Sequence, residues 1–249
     1  MTNLNNRILK KIQAIIFDQG NTLLDVFFNT VIKNLDIRLI LQKYNIPCTN
    51  EEFLNAWIKA DKHVNFSFIS HIYQETNILH EAFRILGIRR SLFQPLSIEL
   101  LSLYRKKLRK DLEDYVSDGS LRHLLLRLKR KGKILGIFSN DRAYSLQHNM
   151  KVMYLDTLFN YSFSSEEIGH EKPSYEFFSF IHDKVQVPKI NIVYIGDSYE
   201  NDIVGAKNYG FRSIHYIKHS RNNNKKYLND RTKPDSIINE LALIDKIIR

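Results

Sequence analysis

Residues 12–24 read Ile12-Gln13-Ala14-Ile15-Ile16-Phe17-Asp18-Gln19-Gly20-Asn21-Thr22-Leu23-Leu24. A short apolar run that ends in an acid and a Gly-Asn turn reads as a buried β-strand from Ile12 to Phe17. The next stretch decides where that strand belongs. From about 25 to 117 the spacing of apolar residues is helical: Val31, Leu35 and Leu39 share a face, as do Leu79, Phe83 and Leu86, and then Leu101, Leu108 and Leu112. Asn50, followed by Glu51, Glu52 and the apolar Phe53, Leu54, Trp57 and Ile58, reads as a capped helix start. Four helices and no strand are expected there.

After Gly119 strands return. A helix through Leu121, Leu124, Leu125 and Leu128 precedes a strand from Ile134 to Phe138, a helix from Arg142 to Met153 and a short strand near Tyr161 to Phe163. A helix from about Ser174, a strand from Ile192 to Ile195, a helix ending at Gly210, a strand from Ser213 to Ile217 and a last helix after Ser236 complete the chain. Strands alternating with helices predict an α/β fold with a doubly wound parallel sheet covered on both faces. The helical block interrupts this scheme directly after its first strand. It is therefore an insertion, which predicts a core built from residues 1–24 and 118–249 and a helical domain over 25–117.

At 249 residues, 43% of them hydrophobic, the chain has enough material for one core and a small second module. The basic N-terminal stretch (Arg7, Lys10, Lys11) precedes a short apolar run that ends in Asp18, which does not fit a signal peptide. No segment approaches the roughly 18 consecutive apolar residues of a spanning helix, and the lone Cys48 cannot form an intramolecular disulfide. A soluble, cytoplasmic protein without a membrane partner, monomeric or homodimeric, is expected. The net charge of +10 invites a polyanion-binding reading. The excess is scattered, however, over Arg105 to Lys110, Arg127 to Lys133 and Lys218 to Lys233, so a solvated basic surface and no specific nucleic acid are expected.

In open parallel sheets, ligands bind beyond the carboxyl ends of the strands. The polar residues at those ends are Asp18, then Ser139 and Asn140, then Lys172, then Asp197 with Asp202. Each has a plain structural explanation by itself, and Ser139 to Asp141 could simply cap the following helix. Together they supply a nucleophilic carboxylate, hydroxyl and amide donors, a cation and a pair of acids, the set that holds a phosphoryl group and a divalent metal.

At these residues the chain resembles the haloacid dehalogenase (HAD) superfamily, over nearly its whole length. Ile15-Ile16-Phe17-Asp18-Gln19-Gly20-Asn21-Thr22-Leu23 is similar to the family's first motif, with its second Asp replaced by Gly20. Gly136-Ile137-Phe138-Ser139-Asn140, Lys172-Pro173 and Gly196-Asp197-Ser198-Tyr199-Glu200-Asn201-Asp202 match the other three. The helical insertion is similar to the family's small class 1 cap, a lid that would favour a small phosphorylated substrate. The resemblance implies a phosphohydrolase in which Asp18 attacks phosphorus and forms an aspartyl phosphate. It further implies Mg²⁺ held by Asp18, the carbonyl of Gly20, Asp197 and Asp202. Ser139, Asn140, Lys172 and Asn21 would bind the phosphoryl group, with Lys172 neutralising charge.

Gly20 departs from the pattern, because the Asp usual there protonates the leaving oxygen and later activates water. Its loss removes general acid and base catalysis worth about 10² to 10⁴ in rate. A glycine in this turn is expected at positive φ. Gln19 and Asn21 cannot ionise and could only position water. Two alternatives therefore stay open: a binding or regulatory protein that keeps the fold, and a phosphonatase-like hydrolase. The phosphonoacetaldehyde hydrolase branch also lacks the second acid and uses a cap lysine as a Schiff base. Lys59 and Lys62 lie in the insertion, although a lysine on an amphipathic helix more simply faces solvent. Among the histidines no metal-ligand spacing stands out; His170 reads as a loop residue, and His63, His71 and His80 as part of the insertion.

Overall fold

In the computed structural model, residues 8–24, 28–63, 75–217 and 230–248 are described. The side chains of Phe28, Lys62 and His63 lie outside the described set, as do Arg7, His71, residues 218–229 and the aromatic residues Phe27, Phe66, Phe68 and Tyr73. The chain divides into two compact units, Met1–Asp25 with Val116–Arg249, and Val26–Tyr115.

In the first unit, β1 (Ala14–Phe17), β2 (Ile134–Ser139), β3 (Tyr161–Ser164), β4 (Ile192–Gly196), β5 (Arg212–Tyr216) and β6 (Ser236–Ile238) form one sheet. Its order is β3-β2-β1-β4-β5-β6, with every pairing parallel. The chain leaves β1 towards β2 on one side and reaches β4 on the other. This reversal at β1 and β4 opens a crevice at their carboxyl ends, where Asp18 and Asp197 emerge. Ala14 and Ile16 pack with Tyr194, Phe178, Ile181 and Ala206 in one core layer. The alternating Ile15 and Phe17, also fully buried, face the opposite side of the sheet.

The second unit contains five helices among the described residues: α1 (Phe28–Lys33), α2 (Arg38–Lys43), α3 (Asn50–His63), α4 (Glu75–Ile85) and α5 (Phe93–Val116). Trp57, Phe53, Phe83, Leu79, Leu96 and Leu100 form its buried core. Two local expectations fail here. The face shared by Val31, Leu35 and Leu39 is broken between α1 and α2, where the Asn50 side chain takes the Ile37 amide (2.8 Å) and donates to the Leu35 carbonyl (3.2 Å). Leu39 is consequently 80% exposed. The residue that caps α3 is Thr49, whose hydroxyl accepts from the Glu52 amide while Glu52 accepts from the Thr49 amide, a reciprocal pair of end bonds.

The helices of the first unit are α6 (Ser120–Arg130), α7 (Ala143–Val152), α8 (Ser165–Ile168), α9 (Tyr175–Val185), α10 (Gly205–Tyr209) and α11 (Ile244–Ile247). The expected helix after Ser236 is instead strand β6, and only the short α11 follows. The apolar spacing of Ile237, Leu241 and Ile244 suits a helix, but the free edge of β5 captures the segment first. Asp235 fixes that register: its amide donates to the Ser213 carbonyl, and its carboxylate accepts from the Ser213 amide (2.9 Å), Arg212 (2.8 Å) and Lys207 (3.0 Å). Burial pushes this carboxyl up, but those three donors outweigh burial and hold it below its ordinary value. Asp235→Asn is therefore expected to lose about 1.5 to 3 kcal/mol at neutral pH. A depressed folded value means that this stabilisation is complete above about pH 4 and disappears as the pH falls through that value. Urea unfolding at pH 7 and pH 3 checks both points: the difference between wild type and variant should shrink in acid.

Candidate active site

The apolar strand β1 ends at Asp18, and the turn that follows is closed by the Leu24 amide on the Gln19 carbonyl (2.9 Å). Positive φ in this turn falls on Asn21 (59°) and not on Gly20. The expected strain at Gly20 is thus absent, because Asn tolerates the left-handed conformation and leaves its neighbour ordinary backbone angles. A Cβ at Gly20 would meet nothing within 4 Å among the described residues. Gln19 is buried and spends its amide nitrogen on the Leu146 carbonyl of α7 (3.3 Å).

Asp18 is 6% exposed and sits beside the end of β2, where Ser139 donates its hydroxyl to Asp18 Oδ1 (2.9 Å). Lys172 donates to the same oxygen at 2.6 Å and to Asp202 Oδ1 at 2.6 Å. The backbone of Lys172 is clamped by Asn140, whose Oδ1 accepts from the Lys172 amide (2.8 Å) and whose Nδ2 donates to the Lys172 carbonyl (3.2 Å). The Asn140 side chain thus positions the lysine. Beneath the ammonium lies the Tyr194 ring, its centroid 5.5 Å away, and that phenol is tied to the Phe138 carbonyl at 2.5 Å.

Beyond β4 the chain turns as a π-helical segment, Tyr199–Val204, capped by Ser198, whose hydroxyl accepts from the Asn201 amide (3.3 Å). This turn brings Asp202 back over the strand end. Asp202 Oδ2 takes the Ser198 amide at 2.9 Å. Gly196 leaves the room it needs: a Cβ there would lie 2.2 Å from Asp202 Oδ2. Asp197, half-buried, has its carbonyl held by the His215 ring nitrogen at 3.0 Å.

Asp18, Asp197 and Asp202 each present an oxygen within 4.8 Å of the others. With Lys172 the cluster carries three negative charges and one positive, mostly out of water. Burial would pull Lys172 down, yet Asp18 and Asp202 raise it well above its ordinary value. Burial pushes Asp202 up, against Lys172, and Asp18 adds to the rise. The deficit of positive charge and the all-oxygen donors suit a hard divalent cation. The residues singled out from the sequence are therefore brought together, with Gly20 and Asn21 on the adjoining turn. His170 is exposed, as is Lys59 on α3.

Asp141 was legible only as a helix cap, and it serves otherwise. Its carboxylate takes the Arg142 amide (2.7 Å) and a hydrogen bond from Ser145, while Glu166 takes the Ala143 amide at the start of α7 (2.9 Å). Burial raises the Asp141 carboxyl to about 7 against those two bonds, and the charges on Asp18 and Glu166 raise it further.

The profile of the haloacid dehalogenase-like hydrolases matches residues 15–216. YfnB of Bacillus subtilis (strain 168), itself assigned only by family as a HAD-hydrolase, is 25% identical over 204 residues, which is 80% of this chain and 81% of YfnB. A crystal structure of YfnB bound to magnesium covers 97% of this chain and 99% of its own, with a TM-score of 0.62 and 22% identity. The 2-haloacid dehalogenase of Pseudomonas syringae pv. Tomato DC3000 has a TM-score of 0.64 at 22% identity, covering 95% of this chain and 97% of its own. At those identities the two structures speak for the fold. A glyceraldehyde 3-phosphate phosphatase of Methanocaldococcus jannaschii is 26% identical over 125 residues, 50% of this chain and 53% of that protein.

Proposed function

The chain belongs to the haloacid dehalogenase-like hydrolase family, and from that premise we propose that it is a Mg²⁺-dependent phosphohydrolase acting on a small phosphorylated metabolite. One observation carries the reading: a single oxygen of Asp18 takes both the Ser139 hydroxyl and the Lys172 ammonium, while Asp197 and Asp202 close around the same group. The other Asp18 oxygen is the one to attack phosphorus, splitting one displacement into two easier ones. Lys172 offsets the repulsion between that carboxylate and the incoming phosphoryl group, and Ser139 with the Asn140 amide receives its oxygens. Asp18, the Gly20 carbonyl, Asp197 and Asp202 would hold Mg²⁺, Asp202 directly or through water. When bound, the ion supplies positive charge that draws nucleophile and phosphoryl oxygens together. A small phosphorylated substrate is supported by the phosphatase names among the relatives. No described helix is long and apolar enough to cross a membrane.

The acidic trio favours phosphoryl chemistry over displacement of a halide, which needs no cation. The test is phosphate release from an aryl phosphate with Mg²⁺ and after chelation, beside halide release from a short 2-halo acid. Phosphate release that falls to background on chelation and returns with Mg²⁺ is the expected result. Halide release indifferent to chelation, without phosphate release, would falsify the proposal.

A further inference from the structure

Two donors meet on one oxygen of Asp18, and they come from different parts of the chain: Ser139 from the end of β2 and Lys172 from the loop after α8. The ladder between β1 and β2 ends with Phe17 opposite Ile137, so it stops short of Phe138 and Ser139. Tyr194 reaches across that end. It stands on β4 level with Ile16, buried in one core layer with Ile16 and Phe138, and β1 lies between its strand and β2. Its hydroxyl donates to the Phe138 carbonyl at 2.5 Å. That carbonyl belongs to the peptide plane whose nitrogen is the Ser139 amide, so the bond fixes the plane from which Ser139 departs. The same side chain meets Lys172, whose Nζ lies 5.5 Å from the ring centroid and is hydrogen-bonded to it. Two of the three ammonium N–H groups go to Asp18 and Asp202. The phenol oxygen, its own hydrogen spent on Phe138, can only accept from the third.

We propose that Tyr194 is a positioning residue for phosphoryl transfer: its hydroxyl sets Ser139 and Lys172 together against one oxygen of Asp18, which leaves the other oxygen free to attack. This rests on reading the chain as an aspartyl-phosphate hydrolase. Core packing asks only for a ring at this place. Tyr194 packs edge-on against Phe178, with ring centroids 5.4 Å apart, among Ile16, Ile181 and Ala206. Phenylalanine would fill the same space. The hydroxyl is a different matter, because a buried oxygen is kept only where it has partners. The partners here are the backbone that carries Ser139 and the ammonium of Lys172, the two groups that must face the incoming phosphoryl oxygens. Donors already held in place need no reorganisation when that charge arrives. A displacement of about 1 Å in such a group costs on the order of 10² in rate.

The experiment removes the hydroxyl alone. Wild type, Tyr194→Phe, Ser139→Ala and the double variant are compared for turnover of an aryl phosphate with Mg²⁺, for binding of orthovanadate as a stand-in for the transferring group, and for melting. Tyr194→Phe keeps the ring and its packing, so it should remain folded at the assay temperature. Its kcat should fall about 10- to 100-fold with little change in KM. Orthovanadate should bind less tightly by a similar factor, since alignment matters most where charge is developing. In the Ser139→Ala background the same change should cost only a fraction of that loss, because members of one hydrogen-bond network do not act additively. A folded Tyr194→Phe protein with wild-type kcat, or a loss that multiplies in full with that of Ser139→Ala, would reduce the tyrosine to core packing. Either result overturns the assignment and leaves the hydrolase reading standing. A wild-type protein inert on phosphate esters and indifferent to orthovanadate would overturn both.

Discussion

Asp18→Asn is expected to lose phosphate release on the order of 10⁴ to 10⁶-fold, as removal of an essential nucleophile does in other covalent enzymes. An amide is a poor nucleophile towards phosphorus and a weaker ligand for a hard cation. The fold should survive, and for a specific reason. Lys172 is shared by Asp18 and Asp202. Removing one charge of that pair leaves a balanced Lys172 and Asp202, and Asn still accepts the Ser139 hydroxyl. Melting of the variant should therefore stay within a few degrees of wild type, so that lost activity cannot be attributed to unfolding. Substantial turnover in a folded Asp18→Asn protein would move the nucleophile elsewhere.

Lys172→Met should damage both stability and activity. The lysine side chain is 4% exposed, and its ammonium lies 2.6 Å from each of two buried carboxylates. Removing one partner of a buried pair while leaving the other costs about 3 to 5 kcal/mol. In metal-free urea unfolding the variant should show a loss of that order. Excess Mg²⁺ should recover much of it, because the ion binds the folded state alone and compensates the stranded carboxylates. Phosphate release should still drop by about 10² to 10³, the loss typical when one donor to the developing charge is removed. A stability loss that Mg²⁺ leaves untouched would sever the link drawn here between this lysine and the cation site.

The strand ends were readable because a parallel sheet gathers the polar residues that follow its strands, and β1, β2 and β4 are mainly apolar runs bounded by turn residues. That made Asp18, Ser139, Lys172, Asp197 and Asp202 visible as a set. The contacts within the set were not visible, since Lys172 meets Asp18 across 154 positions of sequence and Asp202 across 30. Local pattern failed where a partner distant in sequence decided the outcome. Three residues of β6 were drawn onto the edge of β5, and Asn50 broke the helical face that would have contained Leu39. Asn140 stood out only for its backbone amide; that its side chain holds the backbone of Lys172 was not visible. Asp141 passed for a helix cap because its neighbours Ser165 and Glu166 lie on another element.

The open space at Gly20 bears on how such a site can change over generations. Aspartate is a single-nucleotide step from half of the glycine codons. Neither backbone strain nor, among the described residues, a neighbour within 4 Å of the new Cβ stands in its way. Among the described residues nothing in the packing demands glycine there, so a side chain at position 20 can be selected on its chemistry. Gly196 is in the opposite situation, for a Cβ there meets Asp202 at 2.2 Å. Any lineage that keeps the Asp202 carboxylate in this place must keep Gly196 as well, so the two glycines of one site have opposite evolutionary freedom.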